Sequence, residues 1–195
     1  MDDPNQAEGP GYAYKPSLMG APWFLRLTPE HLAWAIGRRS GQLAYRDIAS
    51  IRMSFRPVTM QARRFLTEIR GAGAPKIVIA SASWKSLMEQ GQQSNAYSDF
   101  VAELHARVAA AGGRPRCESG LHPLLYWPGV VVFVGVLLAL AGLIVRALQD
   151  ASYSGLFFVA GFMALFAWQL GRFFKLNKPT RYEPGAPPQA LLPRE

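Results

Sequence analysis

Two long apolar runs near the C-terminus dominate the pattern of hydrophobic and polar positions. Residues 124–145 are 22 residues without a charge, and residues 154–171 are 18 residues with a single strongly polar side chain. At 1.5 Å per helical residue the first run is about 33 Å long, enough to cross a hydrocarbon core of about 30 Å. Eight residues separate the two runs. The pattern predicts a transmembrane helical hairpin over 124–175, with spans at 124–145 and 154–174.

Charged residues at the ends of the two runs predict the orientation of the hairpin. Basic residues lie on both outer flanks: Arg114, Arg116, Arg172, Lys175, Lys178 and Arg181. The connecting loop holds one base, Arg146, with Asp150 nearby. Because basic flanks stay in the cytoplasm, we expect a two-pass protein of a bacterial cytoplasmic (inner) membrane with both termini inside. The start of the chain lacks an apolar signal segment, so the first run is expected to be the first insertion signal.

Before the hairpin, apolar residues recur at every second position. These positions are Trp23, Leu25, Leu27, Leu32, Trp34, Ile36, Leu43, Tyr45, Ile51, Met53 and Phe55. Short turns rich in glycine, proline and polar residues interrupt them. This period predicts half-buried antiparallel strands, and further strands are predicted at 65–70 and 76–80. Residues 81–93 fit either a short final strand or a loop.

An amphipathic helix follows the strands, and either Ser94 or Asn95 can cap it. Its apolar stripe recurs at helical spacing and consists of Tyr97, Phe100, Val101, Leu104 and Val108. Polar residues, His105 among them, lie off this stripe. Gly112 and Gly113 end the helix, because glycine readily supplies a left-handed residue at a helix C-terminus.

Composition divides the chain into five segments. Residues 1–21 are expected to form a disordered tail, 22–113 a cytoplasmic domain, 114–123 a linker, and 176–195 a disordered Pro-rich tail after the hairpin. The C-terminal tail fits either a solvated segment or a peptide ligand for another protein. The predicted fold class is α+β: a bent antiparallel sheet or partial barrel of about six to seven strands, closed by one C-terminal helix and followed by the hairpin.

This order of short strands and one closing helix resembles that of a pleckstrin-homology-like domain. The resemblance covers about residues 22–112 and is carried by FLRLTPEHLAWAIGRRSGQLAYRDIASIRMSF and YSDFVAELHARV. The LTPEHL run followed by YRDI is similar to bacterial membrane-associated members of that superfamily. Members that bind phosphoinositides carry Lys and Arg between their first two strands. The corresponding stretch here, Thr28-Pro29-Glu30-His31, is acidic, which argues against specific inositol-phosphate binding.

Basic residues are concentrated in the predicted domain. Residues 26–76 contain ten basic and three acidic residues, within a chain of net charge +8. This excess favours an anionic surface such as lipid headgroups, and the alternative is an ordinary solvated face. The candidate contacts to lipid phosphate are Arg38, Arg39, Arg63 and Arg64. No nucleic-acid-binding motif accompanies the arginines, and the aromatic residues alternate as core residues do, so no nucleic-acid partner is expected.

No residue pattern indicates catalysis. The sequence contains neither GxSxG nor HExxH, and its three histidines are scattered. The single cysteine, Cys117, excludes an internal disulfide. It lies among Arg, Pro and Gly, where it is expected to be incidental, the alternative being activation by Arg114 and Arg116. We therefore expect no catalytic, cofactor-binding or metal-binding residues.

Small residues in the two spans predict close helix packing. Gly135 and Ala139 form one small-xxx-small pair, and Ala160 and Ala164 form another. We expect the hairpin to pack on itself, or on a partner helix. The middle of each span lacks Asp, Glu, Lys and Arg, and this argues against a transporter.

These features together predict a non-catalytic adaptor or scaffold. Its cytoplasmic domain would bind a protein partner at the inner face of the membrane, where tethering raises the local concentration. The first alternative is a module that senses anionic lipid, and the second is a membrane enzyme without a recognisable active site. The expected partners are the lipid bilayer and either another protein or a second copy of the chain, with no cofactor.

Overall fold

The computed structural model describes residues 9–17, 19–57, 64–84, 90–150 and 153–193. The strands are Gly11–Tyr14 (β1), Trp23–Leu27 (β2), His31–Ile36 (β3), Arg39–Ala44 (β4), Ile48–Phe55 (β5), Phe65–Gly71 (β6), Ile77–Ala80 (β7), Ala82–Trp84 (β8), Gln90–Gln92 (β9), Arg116–Ser119 (β10) and Thr180–Arg181 (β11). The helices are Ser94–Ala110 (α1), Pro123–Gln149 (α2) and Tyr153–Leu176 (α3). The predicted α+β class and the two long apolar helices at the C-terminal end are confirmed.

The chain divides into two compact units. The first, called here the N-terminal domain, comprises residues up to 120 together with those from 180 onward. The second, the helical hairpin, comprises residues 121–179. The sheets and α1 belong to the N-terminal domain, and the hairpin consists of α2 and α3.

Strands β1 to β4 form an antiparallel sheet in sequence order. The period-two pattern is confirmed where the sheet buries Leu25 and Leu27 of β2 and Leu43 of β4. Trp34 lies opposite Gly41 across β3 and β4, and a Cβ added at Gly41 would approach the Trp34 ring to 2.7 Å. The tryptophan therefore needs a glycine as its cross-strand neighbour.

Strand β1 corrects the prediction of a disordered tail over 1–21 for the part that the structure describes, and residues 1–8 and 18 lie outside the described residues. It pairs antiparallel with β2, and its two tyrosines, Tyr12 and Tyr14, are buried. Their hydroxyls donate hydrogen bonds to the carbonyl oxygens of Ala80 and Val78 on β7. Burial raises the pKa of both phenols. This strand thus connects the first sheet to the second.

The second sheet has the order β11-β10-β5-β6-β7. Its strands pair antiparallel except for β10, which runs parallel to β5. Strand β10 corrects the prediction of a linker at 114–123, because Cys117 is buried and Arg52 forms an ion pair with Glu118. Residues 81–93, for which two interpretations were open, contain the short paired strands β8 and β9.

Helix α1 covers the core of the N-terminal domain. The predicted stripe is confirmed, since all five of its apolar residues are at most 3% exposed. The ring centroids of Phe100 and Tyr12 lie 5.5 Å apart, and the Tyr97 hydroxyl lies 2.7 Å from Thr67 Oγ1 on β6. Gly112 has a φ of +69°, as predicted for a glycine just beyond the helix.

The segment after the hairpin corrects the prediction that 176–195 is a disordered tail. Residues Thr180 and Arg181 form β11 on the edge of β10, and Gln189–Leu191 forms a short 3-10 turn. Leu191 and Leu192 are buried, and each fully buried leucine contributes about 2 kcal/mol.

The two helices of the hairpin pack through large side chains. The half-buried or buried positions of α2 are Tyr126, Gly129, Val130, Phe133, Leu137, Leu140, Ala141, Ile144 and Ala147. Phe133 contacts Phe166 and Phe174 of α3, with ring centroids 5.6 and 5.1 Å apart. Both helices are long and apolar enough to cross a membrane, and many of their large apolar side chains are exposed.

Candidate functional site

The turn between β3 and β4 contains a predicted lipid contact whose two arginines are exposed in the structure. Gly37 has a φ of +61°, which a tight turn requires and glycine adopts without strain. Arg38 and Arg39 follow it and are exposed. Two adjacent guanidinium groups at a turn can bind phosphate oxygens in a fork geometry.

The loop between β1 and β2 lies against this turn. A Cβ added at Gly37 would lie 3.3 Å from the Cβ of Ala21, and Met19 in the same loop is fully exposed. We call the turn and this loop the basic end, defined by Met19, Arg38 and Arg39. The basic end therefore carries one exposed methionine and two exposed arginines, the apolar and charged kinds of side chain that amphipathic membrane contacts combine.

Of the second predicted arginine pair, Arg63 and Arg64, the structure describes only Arg64. Arg63 lies outside the described residues, so its predicted role stays a prediction. Arg64 is half-buried, and burial lowers the pKa of its guanidinium, partly opposed by the nearby Tyr14. Its Nε is buried and has no hydrogen-bond partner within the described part of the chain. Arg64 is therefore less available to a ligand than Arg38 and Arg39.

An open cleft of about 410 Å³ lies elsewhere on the N-terminal domain. It is lined by Pro29, Glu30, His31, Ala44, Arg46, Arg107, Ala110 and Ala111. Arg107 is occupied by the fold: its Nε donates to Glu103 at 2.7 Å, and its Nη1 donates to the carbonyl oxygen of Thr28 at 2.7 Å. The hydrogen bond to Glu103 raises the pKa of Arg107. The cleft is lined by an acidic residue, Glu30, and by two basic residues, Arg46 and Arg107. This mixture favours neither an anionic nor a cationic ligand.

His105 and Tyr182 form a buried polar pair. The sequence pattern did not predict this pair, because it puts His105 off the apolar stripe of α1. His105 is 1% exposed. Its Nδ1 donates to the Val101 carbonyl oxygen at 2.7 Å, so its Nε2 accepts a hydrogen bond from the Tyr182 hydroxyl at 3.1 Å. Burial lowers the pKa of His105 and raises that of Tyr182. The partner of His105 is a tyrosine 77 residues away in the sequence. No local pattern in α1 indicates this partner.

Cys117 is not activated by the arginines near it in sequence. It is buried in β10, and burial raises the pKa of its thiol to about 11. A thiol of this pKa is almost entirely protonated at neutral pH and is a poor nucleophile. Within the described ranges, no three His, Cys, Asp or Glu side chains are grouped as metal ligands.

Three of the four small residues predicted to pack closely are exposed on the hairpin. Gly135, Ala139 and Ala164 are exposed, and nothing lies within 4 Å of a Cβ added at Gly135. Ala160 is half-buried. In this structure the contact between α2 and α3 is made mainly by an aromatic and aliphatic stripe instead. Packing of these residues on a partner helix stays a prediction.

Comparison with known proteins identifies no relative. The chain matches no protein-family model, and neither the curated proteins nor the solved structures give a match.

Proposed function

We propose that this chain is a non-catalytic adaptor anchored in a bacterial inner membrane. Its N-terminal domain would be a pleckstrin-homology-like module that binds a protein partner at the cytoplasmic face. The order of elements supports this kinship: a four-stranded antiparallel sheet, then β5 to β7, then the short pair β8 and β9, then one helix. If β1 is the first strand of such a module, the loop between its first two strands is 15–22 and not 28–31. Lys15 is its one basic residue, and specific inositol-phosphate binding stays disfavoured.

The observation that carries the proposal is the pairing of β10 with β11. These strands precede α2 and follow α3, and they form one ladder within the N-terminal domain. Three residues separate β10 from α2, and three separate α3 from β11. If α2 and α3 span a bilayer, these short connections keep the domain and the C-terminal segment together on one side of it. A domain tied at both ends of an anchor suits an adaptor that presents a surface near the membrane.

The charges at the helix ends support a cytoplasmic location for that side. Arg172 and Lys175 lie in the last turns of α3, and Arg114 and Arg116 precede α2. At the opposite ends of the two helices, residues 146–153 contain one basic residue, Arg146 in the last turn of α2. The excess of Lys and Arg therefore accompanies the domain, as the positive-inside rule expects for a cytoplasmic side.

The adaptor proposal is tested by crosslinking in cells. The tagged full-length protein is crosslinked, purified in a mild detergent and compared with an equally expressed, unrelated two-pass protein. We expect one recurrent protein in stoichiometric amount that is missing from the control. Recovery of the chain with lipid alone would contradict the adaptor function.

A lipid-sensing function is the second candidate, and the basic end favours it. The purified protein is reconstituted, and binding of soluble fluorescent phosphatidylglycerol and phosphatidylserine analogues is compared at equal charge. Lipid sensing predicts a preference for one lipid that the Arg38→Gln/Arg39→Gln variant loses and the Lys178→Gln control keeps. Binding that follows only total charge and disappears with salt would exclude selective sensing.

A further inference from the structure

The C-terminal segment Thr180–Pro193 lies along a surface made by β10 and α1 of the N-terminal domain. Thr180 pairs with Ser119 and Arg181 with Glu118, and the Tyr182 amide then donates to the Cys117 carbonyl oxygen at 3.2 Å. The first part of the segment is thus bound by backbone hydrogen bonds, as an added strand is. Backbone pairing of this kind does not depend on the side chains of the bound strand.

Two side-chain contacts fix the register of the segment. Tyr182 places its hydroxyl on His105, and the two rings are tilted by 37° with centroids 5.7 Å apart. Nine residues later Leu191 and Leu192 are buried, and the Ser98 hydroxyl donates to the Pro193 carbonyl oxygen. Ser98 and His105 are seven residues apart on α1 and therefore share one face of the helix.

The C-terminal segment makes few contacts with the domain, and the residues between these contacts are mostly exposed or proline. The strand ladder has two residue pairs, which alone is a marginal interaction. Glu183, Gly185 and Ala186 between the contacts are exposed, and prolines at 184, 187 and 188 restrict the unbound segment. A short Pro-rich segment fixed by a tyrosine and two leucines has the form of a bound linear peptide.

We propose that this surface is a peptide-binding groove whose resident ligand is the chain's own C-terminal segment. The ligand class is an extended, Pro-rich peptide with a tyrosine followed nine residues later by two leucines. A partner carrying such a peptide binds by displacing the segment, which the tether keeps at high effective concentration. The identity of that partner rests on the proposed adaptor function, whereas the groove itself is tested with the purified protein alone.

The experiment uses full-length protein in detergent with a protease site inserted after Pro179. The probe is a fluorescent peptide of residues 178–195, and its binding is measured by anisotropy before cleavage and after cleavage and washing. We expect saturable binding after cleavage and at least about tenfold weaker apparent binding before it. Peptides with Tyr182→Ala or with Leu191→Ala/Leu192→Ala should bind at least about tenfold more weakly, and the exposed Glu183→Gln control should bind normally.

Binding that is absent after cleavage, or that is equal for all four peptides, would overturn the groove. A second measurement covers the case in which the cleaved protein unfolds. In uncleaved Tyr182→Phe protein, amide hydrogen exchange should rise about tenfold over 180–193 and stay unchanged in β6 and β7. An equal rise throughout the domain would show that the segment is an inseparable part of the core. Neither result depends on whether crosslinking in cells recovers a partner.

Discussion

Trp34 and Gly41 show how one glycine controls the packing of the first sheet. The Trp34 ring lies over Gly41, leaving 2.7 Å for an added Cβ. We expect Gly41→Ala to destabilise the N-terminal domain by about 1–3 kcal/mol, the usual cost of overpacking. Thermal unfolding followed by circular dichroism in detergent measures this loss. Ser40→Ala, at an exposed neighbouring position, is the matched control, and equal stability of the two variants would contradict the packing.

His105 gives the domain a defined dependence on pH. Burial holds its folded pKa below the ordinary value of 6.5, so the unfolded chain binds the proton more readily than the folded one. The stabilisation is therefore complete above about pH 6.5 and is lost as the pH falls toward the folded pKa. A single group changes the free energy of unfolding by at most about 1.4 kcal/mol per pH unit.

The measurement is the free energy of unfolding from pH 8 to pH 5 for the wild type and for His105→Gln. Subtracting the two curves removes the contribution of the other titrating groups. We expect the difference to change below about pH 6.5 in the direction of wild-type destabilisation. Parallel curves over the whole range would show that His105 is not held neutral by the fold.

Single residues were predictable where their partners are near in sequence. The alternating positions of β2 to β5 and the stripe of α1 follow from local periodicity, and so does the exposed pair Arg38 and Arg39 at a glycine turn. The burial of His105 was not predictable, since its hydrogen-bond partner Tyr182 lies beyond both apolar helices. The loop that contains Met19 approaches the β3–β4 turn where Ala21 faces Gly37, and the sequence does not indicate this approach.

In the helical hairpin, aromatic side chains replace the small residues that were expected to form the contact. We expect Phe133→Ala to weaken association of α2 and α3 by about 1–3 kcal/mol, because it removes two aromatic pairs worth about 0.5–1.5 kcal/mol each. Gly135→Leu adds a side chain on the exposed face of the same helix and should leave this association unchanged.

Association of the two helices is measured in bilayers by steric trapping with labels near each helix end. A larger effect of Gly135→Leu than of Phe133→Ala in the monomer would contradict the observed stripe. A Gly135→Leu effect that appears only as protein concentration rises would instead support packing of this face on a second copy.

Elements with a long periodic pattern were predicted, and short elements with distant partners were not. Strand β10 has four residues and pairs with β5, whose sequence ends 60 residues before β10 begins. Strand β11 has two residues, too few to show any period. Strand β1 carries its signal in Tyr12 and Tyr14, but glycine and proline around it have the composition of a disordered tail. Tertiary pairing, which local composition does not report, determines these three strands.

The whole chain is an N-terminal domain interrupted by a two-helix insertion. Because β10 and β11 flank the insertion within one sheet, a membrane crossed by α2 and α3 must leave the domain and the C-terminal segment on the same side. The sequence predicted this arrangement from flanking charge alone. The ladder is a second, independent reason for it, and the side on which the domain lies decides which partners it meets.

The most direct test of this account is the sidedness of two introduced cysteines. Cys117 is buried with its pKa at about 11, so it should stay unlabelled in folded protein and need not be removed. Asp150→Cys and Glu183→Cys are placed at exposed positions and treated in intact cells with a membrane-impermeant thiol reagent. We predict that Asp150→Cys is labelled at once and Glu183→Cys only after permeabilisation. Labelling of Glu183→Cys in intact cells, or protection of Asp150→Cys, would contradict a cytoplasmic domain anchored by two spans.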